Sequence, residues 1–411
     1  MPARVVLGEH GEGAARVVES SRRRVIDGAA EDNFRGSRKV TGVIINGRRR
    51  PCLLLLELLR ELGRLQRSEF PIPFFAPTSR SSRKQNMAGR HPDLDPAPAV
   101  DALDYIKIVV NPDGTVTRGL DMPSTPADPD PDQPSAVRTK DVPLNPAHNT
   151  WARIYVPRPS PPPDQKLPLV VYYHGGGFVI CSPADAMHHV FCSLMAVKLG
   201  AVVVSPSYRL APEHRLPAAY DDAVEALRWV STTEEEWLRE GVDFSRCYLM
   251  GTSAGGNIAY HVGLRVCAAA ADLEPLVIRG LILHHPFFGG SRRTESEVRL
   301  FNNQTLPVNV ADKMWELSLP AGADRDHEYC NPTGGERSEE WERMKKLGWR
   351  VVVVAGSGDP LIDRQRELAA KLEAKGVEVV GLFGGEGDYH GVEIIEPAKA
   401  EPLFEKLKSN I

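Results

Sequence analysis

No stretch of this sequence reaches the roughly 18 consecutive apolar residues that a membrane-spanning helix needs. The nearest, LLLLELLRELG at residues 53–63, is short and broken by Glu57, Arg60 and Glu61. It also lies too far into the chain to be a secretory signal. Cysteine is scarce: Cys52, Cys181, Cys192, Cys247, Cys267 and Cys330 are far apart, and none forms a C-x-x-C pair or a Cys/His ligand spacing. That argues against a zinc site. Most of the six sit in apolar runs, as buried thiols of a reducing compartment do, so a cytoplasmic location is expected. No H-E-x-x-H or similar histidine spacing occurs, so metal catalysis is not expected, and the chemistry read below calls for no organic cofactor. A large charge of one sign is also missing. The net charge of −4 offers no whole-chain field for nucleic acid or an anionic membrane. There is no internal repeat.

What is present divides unevenly. Residues 1–86 carry 17 Lys and Arg against nine Asp and Glu, a balance of +8, so the remainder carries −12. Arginine clusters at SRRR and GRRR flank segments without sustained periodicity. The expectation is a basic, disordered extension outside the folded unit. A targeting segment is an alternative suggested by Arg and Ser, although nine acids weigh against it. A basic binding tail and an over-extended gene model, with the natural start at Met87, are further alternatives. Residues 87–411 are then the folded domain.

From about Leu103 the pattern becomes regular. DYIKIVVNPDGTVTRG has strand-forming residues on both sides of Asp113-Gly114 and predicts a hairpin. The loop MPSTPADPDPDQPS is too rich in proline for regular structure. NTWARIYVP reads as a strand. Short apolar runs then alternate with helical periods: PLVVYYH, AVVVSPSY, CYLMG, IRGLILHHP, WRVVVVAG and VEVVGLF as strands, with ADAMHHVFCSLMAVKLG, LPAAYDDAVEALRWVS, AGGNIAYHVGLRVCAAAA and PLIDRQRELAAKLEAKG as helices. Continuous apolar runs mean strands buried on both faces. Alternation with helices predicts an α/β fold, a mostly parallel central sheet with helices on both faces. Residues of about 289–343 break this rhythm, and an insertion of that size is usually a lid or functional loop.

The strongest local signal is YLMGTSAGGN. Gly251-Thr252-Ser253-Ala254-Gly255 fits G-x-S-x-G between a strand and a helix, the context of a nucleophile elbow. The turn is tight enough that larger side chains two residues on either side of the serine would clash. A serine hydroxyl is a weak nucleophile at neutral pH and needs a base, which in turn needs an orienting acid. In this fold class the acid follows a late strand and the histidine follows the last. GSGDPLID offers Asp359 near the strand end and Asp363 in the first helical turn, where a dipole or capping role suffices. Asp359 is therefore preferred. DYHGVE offers His390, the only histidine after the acid. His284 and His285 end a strand before Pro286 and should lie near the site without an assigned chemistry.

Attack by serine builds negative charge on a carbonyl oxygen, which needs preorganised donors. YHGGGF places three glycines after a strand. Without Cβ atoms their N–H groups can approach an oxyanion, so Gly175, Gly176, Gly177 and Ala254 are the expected donors. The loop has neither the G-K-[ST] nor the G-x-G-x-x-G pattern of a phosphate cradle.

Together, HGGGF, YRLAPEHRLPAAYDD, GTSAGGN, GDPLID and YHGVE resemble the hormone-sensitive-lipase-like group of α/β hydrolases, and more narrowly the plant carboxylesterases. The resemblance covers roughly residues 87–411, and RTESEVRL and DHEYCNP extend it into the insertion. It implies an α/β-hydrolase fold whose pocket is capped by the segment after Met87 and by the insertion. It implies cleavage of small, short-chain carboxylic esters through an acyl-serine at Ser253, with His390 as base and Asp359 orienting it. Gly176 and Gly177 would donate more than Gly175, and His174 would orient the loop rather than react. Two other classes share the scaffold. Hormone receptors of this family lack the catalytic histidine, which is present here. Dehydratase-like or tuliposide-converting-like lyases and transferases keep the triad. Nothing is implied for residues 1–86.

Overall fold

The computed structural model describes residues 99–411, apart from Gly114, residues 131–134 and 160–164, Glu336 and Glu386. The basic extension and the boundary at Met87 lie outside the described residues.

Two short strands come first: β1 (Ile108–Val110) and β2 (Val116–Arg118) pair antiparallel around the expected Asp113 turn. Eight strands then build one sheet: β3 (Val137–Asn145), β4 (Thr150–Pro157), β5 (Leu167–Tyr173), β6 (Val202–Pro206), β7 (Val242–Thr252), β8 (Ile278–His284), β9 (Arg350–Gly356) and β10 (Glu378–Gly384). Their order is β10-β9-β8-β7-β5-β6-β4-β3. All neighbours are parallel except β4 with β6 and β3 with β4.

The apolar runs explain the layering. Successive residues of a strand point to opposite faces. Val171, Val204, Leu249, Leu281 and Val353 enter one core with Leu227, Ile258 and Leu368 from the helices Ala218–Thr232, Ala254–Val266 and Ile362–Ala374. Their neighbours Val170, Val203, Met250, Ile282 and Val352 enter the other core. There they meet Phe191 and Leu194 of the helix Ala186–Leu199 and Leu403 and Phe404 of the helix Pro397–Lys408. Each such side chain, fully buried, contributes about 1.5–3 kcal/mol. The helix Ala186–Leu199 ends on Gly200 in the left-handed conformation (φ 62°), a stop that glycine makes without a Cβ clash.

Three features differ from the sequence reading. β3 is an additional strand. Its Pro143 would be costly in a central strand, but β3 lies at the sheet edge, where a missing N–H is tolerated. β10 is only half-buried because it forms the opposite edge. The helix Pro397–Lys408 is also additional, and its Leu403, Phe404 and Leu407 close the second core.

Between β8 and β9 the chain forms the helices Glu295–Arg299, Val308–Ser318 and Ser338–Lys346. The first starts with a capping box between Thr294 and Glu297, which satisfies two otherwise unpaired N–H groups. Tyr105 donates to the carbonyl of Gln304 (2.5 Å), and Asn309 donates to that of Val100 (2.6 Å). The segment before β1 is thereby fastened to this insertion. Among the described residues no helix is long and apolar enough to cross a membrane, and the five described cysteines are free.

From β5 the chain passes to β6 on one side and then returns to β7 on the other. Such a reversal opens a crevice at the carboxyl ends of the strands. The HGGGF loop follows β5, and Ser253 follows β7.

Candidate active site

Ser253 sits between the last residue of β7 and the first of the helix Ala254–Val266, with φ 56° and ψ −117°. A non-glycine residue in such a conformation costs roughly 1–3 kcal/mol and persists only where its surroundings hold it. Here the Ser253 N–H donates to the His284 carbonyl (2.9 Å), and the Ser253 carbonyl accepts from Phe287 (2.9 Å) and Asn257 (3.1 Å). The flanking glycines are dictated by space. A Cβ on Gly251 would lie 2.1 Å from the Gly255 carbonyl oxygen, and one on Gly255 would lie 1.9 Å from that of Tyr173.

The three residues expected to act together converge from three loops. His390 Nε2 lies 2.8 Å from Ser253 Oγ, and His390 Nδ1 lies 2.9 Å from Asp359 Oδ2. Asp359 is fully buried and His390 nearly so. Asp359 Oδ1 accepts from the Leu361 N–H (2.9 Å), and Oδ2 also accepts from Gln365 Nε2 (3.1 Å). Burial alone would raise the Asp359 pKa. The charge of His390 and the hydrogen bonds from His285 and His390 reverse this and hold the carboxyl well below its ordinary range. Asp363 is not part of this group; its Oδ2 accepts the Ser296 N–H (2.8 Å) and so caps an insertion helix.

The glycine loop lies against the serine. A Cβ on Gly175 would meet the Thr252 carbonyl oxygen at 3.1 Å and Ser253 Cβ at 3.4 Å. Gly176 has φ 111°, and its Cβ would be 2.2 Å from the Ile180 carbonyl oxygen. Gly177 has φ 59°, with Met314 of the insertion packed where its side chain would be. Ser318, on the same helix as Met314, donates to the Gly177 carbonyl (3.2 Å). Among the described residues no acceptor is recorded for the N–H of Gly176 or Gly177. Ala254 begins its helix, whose positive dipole end points to the same place. His174 is buried, stacks on Tyr208 at 4.3 Å and holds the Gly175 carbonyl with Nδ1 (2.7 Å). Burial pushes its imidazole down to about 4, so it braces the loop as a neutral ring.

A cavity of about 90 Å³ opens on Ser253, His390 and the three glycines. Its other walls are mainly apolar: Ile180 and Met187, Leu306 and Met314 of the insertion, Leu120 and Met122 from the segment after β2.

Sequence reasoning missed the polar chain behind this site. His285 Nδ1 lies 2.9 Å from Asp359 Oδ2, the oxygen that His390 also uses. Its Nε2 lies 3.1 Å from Glu393 Oε2, which His284 Nε2 approaches at 3.0 Å. His284 Nδ1 in turn meets Thr252 Oγ1 (2.8 Å), which accepts from Tyr172 (2.9 Å). The two adjacent histidines were legible as neighbours of the site. Glu393, three residues after His390, was the available signal for their partner. Asp222 is a second residue that sequence reasoning missed. It is buried and holds the guanidinium of Arg209 (2.7–3.0 Å) and its backbone N–H (2.8 Å). This pair pins the YRLAPEH loop to the helix Ala218–Thr232. Donor atoms of His284, His285 and Glu393, and of His285, Asp359 and His390, are close enough to share a cation. In both groups they are engaged in the hydrogen bonds just described.

A strained serine between strand and helix, at the switch point of a mostly parallel sheet, is the arrangement of the α/β hydrolases. A family model described as alpha/beta hydrolase fold matches residues 170–393. The chain is 53% identical over 322 residues to carboxylesterase 20 of Arabidopsis thaliana, covering 77% of this chain and 98% of that protein. It is 47% identical over 319 residues to a 3-O-acetylpapaveroxine carboxylesterase of Papaver somniferum, covering 75% and 96%. Among solved structures, a Pyrobaculum calidifontis esterase superposes with a TM-score of 0.56 at 28% identity, covering 66% of this chain and 85% of that one. The chain belongs to the α/β-hydrolase fold family and, within it, to the carboxylesterases of plants.

Proposed function

We propose that the chain cleaves short-chain carboxylic esters by way of an acyl-serine. The observation that carries this reading is the placement of His390 between Ser253 Oγ (2.8 Å) and Asp359 Oδ2 (2.9 Å). His390 takes the Ser253 proton as the oxygen attacks the ester carbonyl, then returns it to the departing alcohol. Asp359 orients the imidazole and stabilises its charged form. The N–H groups of Gly176, Gly177 and Ala254 receive the oxyanion, with Gly175 as the wall beside the serine. Water then enters, gives a proton to His390 and attacks the acyl carbon; as the bond to Ser253 Oγ breaks, His390 returns that proton to the serine oxygen and the acid departs.

The segment before β3 and the insertion together act as the cap, since both supply apolar walls to the cavity. The short acyl preference is supported by the cavity of about 90 Å³ and by the O-acetyl compound in the name of one relative. A cytoplasmic location is supported by the free thiols.

The test is turnover of p-nitrophenyl esters from acetate to octanoate, with Ser253→Ala as control. The wild type should prefer the shorter chains and the variant should lose turnover. Undiminished turnover by Ser253→Ala would overturn the reading.

A further inference from the structure

His285 stands in a position that the esterase mechanism does not use. It directly follows β8, its backbone is held at φ 45°, and its N–H donates to the Val354 carbonyl (2.8 Å). That conformation is unfavourable for a histidine and needs an over-determined setting. The result is a ring wedged between two carboxylates, 2.9 Å from Asp359 and 3.1 Å from Glu393.

Proton counting decides its state. A neutral imidazole has one N–H, so its bare nitrogen would face an ionised carboxylate oxygen, acceptor against acceptor. The conflict vanishes if His285 carries two protons or if one carboxyl is protonated. Glu393 Oε2 already faces a second donor. Tyr172 donates to Thr252 Oγ1, which directs the Thr252 hydroxyl proton to His284 Nδ1 and leaves the His284 proton on Nε2, pointed at Glu393. Asp359 Oδ2 already accepts from Gln365 and faces His390 Nδ1. A proton on either oxygen would meet these donors head-on. It therefore belongs on His285.

We propose that His285 is a positioning residue of the esterase reaction: held as an imidazolium between Asp359 and Glu393, it locks the carboxylate that orients His390 and restrains His390 from taking up a proton before serine attack. The inference rests on the reading of Ser253, Asp359 and His390 given above. Burial by itself would lower the His285 pKa, but hydrogen bonds and charge from Asp359 and Glu393 carry it up to about 10. The titratable groups facing it are Asp359 after β9, Glu393 of the short helix Val392–Ile395, His284 of β8 and His390 after β10. Its ring centroid lies 5.6 Å from that of His390. A fixed cation at that range disfavours a second one. Glu393 groups with His284 and His285 and serves to keep the proton on His285.

The experiment compares pH profiles of kcat/KM on p-nitrophenyl acetate for the wild type, Glu393→Gln and His285→Asn. Glu393→Gln keeps the shape and removes the charge that holds the His285 proton. Its acid limb should move to higher pH by about one unit, the lower end of what a charge within 4–6 Å does. His285→Asn should move it the same way with a lower kcat. A purely structural role would scale the whole profile down and leave the limb in place. In a ¹⁵N-labelled Ser253→Ala sample at about pH 8, above the ordinary histidine pKa, both ring nitrogens of His285 should carry protons. An unmoved limb in active Glu393→Gln, or a bare ring nitrogen on His285, would overturn the inference. Should His285→Asn fail to fold, the Glu393→Gln profile and the spectrum still decide. Retained turnover in Ser253→Ala would instead strike the esterase mechanism, so the two failures are distinguishable.

Discussion

Two histidine–carboxylate pairs lie back to back at the carboxyl edge of this sheet. In one, His390 leans on Asp359 and turns its other nitrogen to Ser253 and the cavity. In the other, His285 and Glu393 make the same kind of contact, but the second nitrogen of His285 is closed off against Asp359. Residue types and distances are nearly equal. What differs is the partner of the outer nitrogen, a hydroxyl facing a cavity in one case and a carboxylate in the other. A histidine beside a carboxylate becomes a base only when its free nitrogen meets a group that can lose a proton usefully. Elsewhere the same pair is a buried ion pair that orders its neighbours.

The strongest way to break this comparison is to replace the outward pair. His390→Gln should lower kcat on p-nitrophenyl acetate by about 10⁴–10⁶-fold, whereas His285→Asn should leave measurable turnover. Equal losses would mean that the two pairs act as one unit. Next comes the acid. Asp359→Asn should cost about 10⁴-fold in kcat, because the amide can stabilise the wrong imidazole tautomer. Asp363→Asn, which alters the cap on the insertion helix, should leave kcat almost unchanged and lower the melting temperature by a few degrees. A smaller effect is expected at the glycine loop, the proposed oxyanion site. Gly176→Ala forces a Cβ to within 2.2 Å of the Ile180 carbonyl at a positive φ. Displacing that donor should reduce kcat by about 10²–10³-fold with a smaller change in KM.

The smallest effect concerns stability and sharpens the inward pair. His285 is raised above its unfolded value, to about 10. Its contribution is complete below about pH 6.5 and is lost as pH rises towards 10. Asp359 and Glu393 are depressed. Their contributions are present above about pH 4 and are lost as pH falls further. The urea midpoint of the wild type should therefore decline between about pH 6.5 and 10. Glu393→Gln should flatten that decline, and an equally steep decline in the variant would exclude His285 as its source.

Much of this was legible in the linear chain because its signals are local. The parallel strands are continuous apolar runs. Gly251 and Gly255 flank Ser253 because two backbone segments come within about 2 Å of where their side chains would be. The order of serine, acid and histidine is a property of topology, so chain order alone points to Asp359 and His390. β3 escaped because a proline in mid-strand is tolerated chiefly at an edge or a bulge, and edge position is not a local property. The helix Pro397–Lys408 escaped because its apolar side is defined by the core it closes. Asp222 escaped because Arg209, thirteen residues away, becomes its partner only after the loop between them folds back.

The sequence by itself determined the α/β class, the elbow at Ser253, the glycine loop and the order of the site residues. All of these depend on backbone sterics and short-range periodicity. Only the tertiary structure decided that Asp359 serves two histidines and that Asp363 caps the insertion. It alone brought Glu393 behind the site and packed Met314 and Ser318 against the glycine loop. These are contacts between segments far apart in the chain. Their energies come from burial and proximity, which no stretch of sequence carries until the sheet has brought its carboxyl ends together.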